Sequence, residues 1–209
     1  MNIVGIGGSP RNGNTEAILS MLLQNLKDLG AETELILLRK TKMDYCDSCH
    51  KCFGKQKCQK ADDVSEIIHP KILAADVLIF GSPSHYGSVS GQMKTFMDRC
   101  LPFLNMYIPG LLRGKYALNI LAYGRGGGTH IAQATLNQWC MCLGMHVFDN
   151  LSYKALDKDD AKKNENIRAR LRLTAEELFN ATDLRLKGEG DRTYPIIIAN
   201  ERALTDKWK

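Results

Sequence analysis

The stretch that decides the fold is Ile3-Val4-Gly5-Ile6-Gly7-Gly8-Ser9-Pro10-Arg11-Asn12-Gly13-Asn14-Thr15. Ile3 to Gly7 reads as a short buried strand. From Thr15 to Leu29 apolar residues recur at helical spacing (Ile18, Leu19, Leu22, Leu23, Leu26, Leu29) until Gly30 ends the run. A strand therefore passes through a glycine-rich turn directly into a helix. Glycines let the backbone turn tightly, Ser9, Asn12, Asn14 and Thr15 supply hydroxyl and amide donors, and Arg11 supplies a charge. The free N–H groups at a helix start attract an anion, so the combination suits one terminal phosphate. A dinucleotide fingerprint fails at Pro10, where a third small residue is due after Gly5-x-Gly7, and no Gly-Lys-Ser/Thr follows to make a P-loop. The simpler alternative is an ordinary strand-to-helix turn capped by Asn14 or Thr15.

Working outward, the same alternation repeats. The pattern predicts a strand at Thr33–Leu38, a long loop, a helix at Ala61–Leu73, a strand at Val77–Gly81 and a helix around Gln92–Cys100. A strand at Tyr116–Tyr123, a helix at Thr129–Leu143 and a strand at His146–Asn150 come next. Short, mostly apolar strands separated by helices imply a parallel sheet covered on both faces, a doubly wound α/β fold of three layers (α/β/α). The expected sheet has five strands in the order 2-1-3-4-5. In such a sheet the loops that leave strands one to four emerge at one edge, and those loops hold nearly all the unusual residues. With 209 residues, 44% hydrophobic and 24% charged, the chain is expected to form a single domain over residues 1–209. A cysteine-rich loop at 45–60 and a C-terminal helix plus tail at 157–209 elaborate it. Asp157–Lys187 reads as a long charged helix, and the Ile196-Ile197-Ile198 run in the tail is expected to pack on this subunit or a neighbour.

No stretch approaches the ~20 apolar residues that span a bilayer, and the start lacks the basic flank and apolar run of a secretory signal, so a cytoplasmic protein is expected. The net charge of +5 is local. Residues 39–60 hold seven basic residues (Arg39, Lys40, Lys42, Lys51, Lys55, Lys57, Lys60) against two acidic ones (Asp44, Asp47), which leaves the rest of the chain balanced. Without basic and aromatic interleaving elsewhere, neither nucleic acid nor membrane is an expected partner. No Ser-His-Asp or paired-carboxylate spacing supports hydrolytic chemistry.

The same basic segment contains Cys46-Asp47-Ser48-Cys49-His50-Lys51-Cys52-Phe53-Gly54-Lys55-Gln56-Lys57-Cys58, of the form Cys-x2-Cys-x2-Cys-x5-Cys. In a reducing compartment a close-spaced set of thiols points to metal or redox chemistry rather than to disulfides. Cys-x-x-Cys spacing lets successive thiolates wrap different corners of a small iron–sulfur cubane, with the arm containing Gly54 turning back to supply a fourth ligand. Zinc is the main rival. Its structural sites usually pair two knuckles a dozen or more residues apart, or add histidines at fixed intervals, and unmetallated thiols are the third possibility.

Gly-Ser-Pro-Arg-x-Gly-Asn-Thr after the first strand resembles the phosphate loop of the flavodoxin-like NAD(P)H-dependent FMN reductase superfamily. Gly81-Ser82-Pro83-Ser84-His85-Tyr86-Gly87-Ser88-Val89-Ser90-Gly91-Gln92-Met93-Lys94, with Asp98-Arg99 beyond it, is similar to that family's loop along the isoalloxazine ring. Tyr123-Gly124-Arg125-Gly126-Gly127-Gly128 resembles the loop facing the pyrimidine side. The resemblance covers roughly residues 1–150 and implies FMN held by Ser9, Arg11, Asn12, Asn14 and Thr15, by Pro83, Ser84, His85, Tyr86, Gly87 and Ser88, and by residues 123–128. His85 departs from the family's usual tyrosine or equivalent. Within a flavodoxin-like chain, the cysteine spacing resembles the iron–sulfur flavoproteins, which implies Cys46, Cys49, Cys52 and Cys58 as ligands of a [4Fe-4S] cluster.

By that resemblance the chain is expected to be a flavin-dependent oxidoreductase in which FMN exchanges one or two electrons and the cluster one. An acidic ferredoxin is the expected donor, and a quinone-like compound, oxygen or peroxide the expected acceptor. The basic loop would offset the cluster's negative charge and steer such a donor. A homo-oligomer, dimer or tetramer, is also implied. Two other functions remain open at this point: an NAD(P)H-dependent FMN or quinone reductase whose cysteines hold zinc or no metal, and a flavin-loaded redox-sensing module. No catalytic acid or base is expected. Cys100, Cys140, Cys142, Trp139, Met141 and Met145 read as core, and His69, His130 and His146 as structural or surface histidines. Asp62 and Asp63 read as the N-cap and first-turn acid of helix two.

Overall fold

The computed structural model describes residues 1–53, 55, 57–104, 111–124 and 129–188. Its strands are β1 (Asn2–Gly7), β2 (Glu32–Leu37), β3 (Val77–His85), β4 (Ser88–Val89), β5 (Tyr116–Tyr123) and β6 (His146–Lys154). Its α-helices are α1 (Asn14–Asp28), α2 (His69–Ala74), α3 (Gly91–Arg99), α4 (Thr129–Cys142), α5 (Asp160–Lys163) and α6 (Glu165–Leu186). The five long strands are parallel and lie in the order β2-β1-β3-β5-β6, with β4 antiparallel on β3.

Alternation along the central strands supplies both faces of the sheet. Val4 and Ile6 of β1, Leu78 and Phe80 of β3, and Ala117 and Leu121 of β5 pack with Ile72 of α2, Met93 and Phe96 of α3, and Leu136 and Cys140 of α4. Ile3, Val77, Ile79, Leu118 and Ile120 point the other way, against Ile18, Leu19, Leu22 and Leu26 of α1 and Leu171, Ala175 and Leu178 of α6. Burial on both faces explains why the strands read as continuous apolar runs, and at about 25 cal/mol per Å² these two cores are the main favourable term in folding.

The expected five-strand sheet is corrected to six. The third strand does not stop at Gly81 but continues to His85, reverses through Tyr86 (φ 51°) and Gly87 (φ 75°), and pairs Ser84 with Val89 and His85 with Ser88. Two successive positive-φ residues are what a tight two-residue hairpin requires. The strand expected to end at Asn150 runs on to Lys154. A π-helical turn at Val64–Ile68 precedes α2. The long charged segment after residue 157 is two helices, not one. Asn164 separates them and caps α6 by accepting from the Asn166 and Ile167 N–H groups at 3.0 and 3.2 Å. The Ile196–Ile198 run lies outside the described residues.

Candidate functional site

Ligands of such sheets bind beyond the carboxyl ends of the strands where the strand order reverses, here between β1 and β3. The glycine-rich loop leaves β1 at that point. The Gly8 N–H donates to the Gly81 carbonyl of β3 at 2.7 Å. Ser90, the N-cap of α3, ties the two loops further: its hydroxyl donates to the Gly8 carbonyl and accepts from the Met93 N–H at 3.1 Å, while its own N–H donates to the Ser82 hydroxyl at 3.0 Å. A Cβ on Gly8 would lie 2.7 Å from Met93 Cβ, so only glycine admits α3 this close to the loop.

These loops wall a cleft of about 320 Å³, in the range of small-molecule sites. Ser9, Arg11, Asn14 and Thr15 line it from the first loop, Pro83, Ser84 and His85 from β3, and Tyr123 and Gly124 from β5. Thr15 and Ser9 are buried polar residues at its floor. The Ser84 hydroxyl is buried with no hydrogen-bond partner among the described residues. A buried polar atom without a partner is costly, and a ligand in the cleft would satisfy it.

The cysteine segment is an insertion between β2 and the π-helical turn, closed at its base. The Lys42 N–H donates to the Asp63 carboxylate at 2.7 Å, the Asp63 N–H returns a bond to the Lys42 carbonyl at 3.2 Å, and the Asp44 N–H reaches Asp62 at 3.4 Å. Beyond this neck, Ser48 and His50 adopt positive φ (51° and 56°), and the Cys49 N–H donates to the Asp47 carboxylate at 3.3 Å. Cys46, Cys49, Cys52 and Cys58 all line one small pocket together with Lys60, Asp98, Arg99 and Leu101. Cys52 and Cys58 are buried, Cys49 is exposed and Cys46 lies between. Burial pushes the Cys52 thiol up, and the neighbouring sulfurs push the same way.

Behind the cysteines lies a buried ion pair. The Arg99 guanidinium donates to both Asp62 oxygens at 2.6 and 2.9 Å and to the Asp44 carbonyl at 2.9 Å. Burial opposes both charges, but their hydrogen bonds to one another prevail, so the Arg99 pKa is raised and that of Asp62 lowered. Asp62 also accepts from the Ser65 N–H at 3.3 Å and thus doubles as a cap for the turn beyond it.

Residues 1–157 match the family described as NADPH-dependent FMN reductase. An iron–sulfur flavoprotein of Methanocaldococcus jannaschii is 36% identical over 141 residues, covering 66% of this chain and 70% of the relative. One of Archaeoglobus fulgidus is 38% identical over 128 residues, 61% of this chain and 56% of that protein. The chain belongs to the iron–sulfur flavoproteins of the FMN reductase family. As a member it is a flavin-dependent oxidoreductase, and FMN is its flavin. In fold it is similar to an FMN-dependent NADH-azoreductase from Bacillus anthracis, with a TM-score of 0.66 and 19% identity, over 86% of this chain and all of that one.

The residues expected to hold FMN divide in where the structure places them. Asn12, Tyr86, Gly87 and Ser88 do not line the cleft. Tyr86 stands fully exposed at the hairpin tip. Asn14 lines the cleft but spends its side chain on a clamp: its amide donates to the Asp157 carbonyl at 2.7 Å and accepts from the Ala161 N–H at 2.8 Å. Gly13, not Asn14 or Thr15, is the N-cap of α1. Arg125, Gly126, Gly127 and Gly128 lie outside the described residues. Sequence reading missed Ala122 and the wall formed by Ala155, Leu156, Asp157 and Lys158. The signal was available, since the loop after the last parallel strand leaves at the same edge as the other four.

Among the described residues, no three His, Cys, Asp or Glu side chains stand together in position to hold a metal ion. The four thiols share a pocket without forming a closed ligand set. The donor chemistry nonetheless fits an iron–sulfur group: four thiols on one pocket, and beside them a buried Arg99 whose Nε–H has no acceptor among the described residues. The remaining cysteines divide. Cys100 and Cys140 are buried, their thiols pushed up by burial, Cys140 to about 12, which makes them inert. Cys142 and Met141 are exposed rather than core, because the end of α4 turns that face outward. No helix among the described residues is long and apolar enough to cross a membrane.

Proposed function

We propose that this protein relays electrons between an FMN held in the cleft at the β1–β3 edge and a [4Fe-4S] cluster held by Cys46, Cys49, Cys52 and Cys58. The observation that carries the reading is that these four thiols line one pocket at the C-terminal end of α3, whose N-terminal end is bonded to the phosphate loop through Ser90. When bound, the flavin supplies one- and two-electron chemistry and the cluster one-electron chemistry. The chain's own residues would bind and orient the flavin: Arg11, Thr15 and the first N–H groups of α1 would hold the phosphate, and Ser84, Tyr123 and Gly124 would hold the ring. The nine residues of α3, about 13 Å of helix at 1.5 Å per residue, separate the Ser90 bond to the first loop from Arg99 at the cysteine pocket.

The donor is an acidic one-electron carrier such as a ferredoxin, steered by the basic loop, and the assembly is a homo-oligomer built from one domain per chain. Light scattering reports the oligomer. Protein prepared without oxygen and assayed for iron, acid-labile sulfide and FMN tests the relay. Cys52→Ala is expected to abolish iron and sulfide and leave FMN bound, since the phosphate loop is separate. Yellow wild-type protein without iron refutes it. The family's NADPH-dependent members support one other reading, a pyridine-nucleotide-driven FMN reductase. Rapid flavin reduction by NADPH in iron-free protein selects it.

A further inference from the structure

Arg99 is the largest fully buried side chain among the described residues, and it lies at the cysteine pocket. Its partner Asp62 does not line that pocket, so the ion pair is oriented, with its cation toward the sulfurs and its anion behind. The other charges at the pocket are paired and more exposed: Lys60 with Asp47 at 3.1 Å, and Asp98 with Lys94. Exposed pairs are screened, whereas a buried charge acts through a low-dielectric medium and keeps its reach. Three of the five guanidinium N–H groups donate to Asp62 and the Asp44 carbonyl, and Nε–H is left without an acceptor among the described residues. The guanidinium also meets the Cys58 side chain in a hydrogen bond, so its buried charge reaches the sulfurs directly.

We propose that Arg99 is the positioning residue that seats the cluster: it presents a fixed positive charge to the sulfurs around Cys58, and Asp62 limits how much of that charge they experience. This role rests on the cluster reading and deepens it. A cluster ligated by four thiolates is anionic and becomes more so on reduction, so a nearby fixed cation raises its potential and a nearby anion lowers it. The two halves of one ion pair therefore have opposite effects, which a merely structural role does not produce.

The test uses the FMN-containing protein prepared without oxygen, with iron and sulfide counted per FMN and the cluster potential measured separately from the flavin potential. Arg99→Met is expected to shift the cluster's reduction equilibrium about tenfold toward the oxidised form, which is 59 mV for one electron, with part of the iron lost. Asp62→Asn is expected to shift it in the other direction, and Arg99→Lys to fall between wild type and Arg99→Met. If Arg99→Met does not fold, as its lack of flavin will show, the sign of the Asp62→Asn shift decides. Shifts of the same sign in both variants, or a wild-type potential in Arg99→Met with full iron, overturn the proposal alone. Wild-type protein with no iron or sulfide overturns the cluster reading and this inference with it.

Discussion

His69 opens α2 with its ring sealed in the core, 4.6 Å from the Phe103 ring centroid, and neither ring nitrogen has a hydrogen-bond partner among the described residues. Burial, and then the cation of Arg99, hold its pKa down at about 4 against an ordinary 6.5. Below pH 6.5 the unfolded chain binds a proton at His69 that the native chain refuses, so stability falls as pH falls, until the native imidazole also titrates near pH 4. At 1.36 kcal/mol per pH unit, the loss across that window is about 3 kcal/mol. His69→Gln, which carries no proton at either pH, removes this term whatever it does to stability itself. Urea unfolding of the FMN-bound protein and the variant at several pH values between 4 and 7 measures it. The wild-type curve is expected to drop more steeply toward acid, the difference accumulating to about 3 kcal/mol. Every other titrating group cancels in the comparison. Parallel curves refute the reasoning.

Two further substitutions probe the cleft. Gly8→Ala drives a methyl group to 2.7 Å from Met93 Cβ and is expected to cost about 1–3 kcal/mol, lowering the thermal midpoint by several degrees and weakening FMN binding in a fluorescence titration. Asn14→Ala releases the clamp on Asp157 and Ala161. A loss of about 1–2 kcal/mol in stability is expected, with weaker FMN binding as the wall at 155–158 comes free; unchanged binding would show that this wall does not touch the flavin.

The sheet was legible because its strands are buried on both faces: Ile3–Ile6, Val77–Phe80 and Ala117–Leu121 are apolar almost without interruption, which leaves little else for them to be. The β4 hairpin was not. Ser84, His85 and Ser88 carry no apolar alternation, and the pairing is set by two positive-φ residues at its tip rather than by burial. Likewise the Cys-x2-Cys-x2-Cys-x5-Cys spacing names four thiols but cannot say what stands behind them. Asp62 reads locally as a helix cap and does accept from the Ser65 N–H, yet its main partner Arg99 is 37 residues away and meets it only through the tertiary packing of α3. The wall at Ala155–Lys158 was hidden by the underestimated length of β6.

The closed base of the cysteine insertion, where Lys42 and Asp44 meet Asp62 and Asp63, separates two assembly events. Sheet and helices complete their hydrogen bonding without reference to what the segment encloses, so the proposed cluster would enter a chain that has already folded. In the smallest zinc modules, by contrast, the ion itself supplies the energy that orders the chain. On the proposed reading, a cluster lost to oxidation would leave a folded chain able to accept another without passing through denaturation.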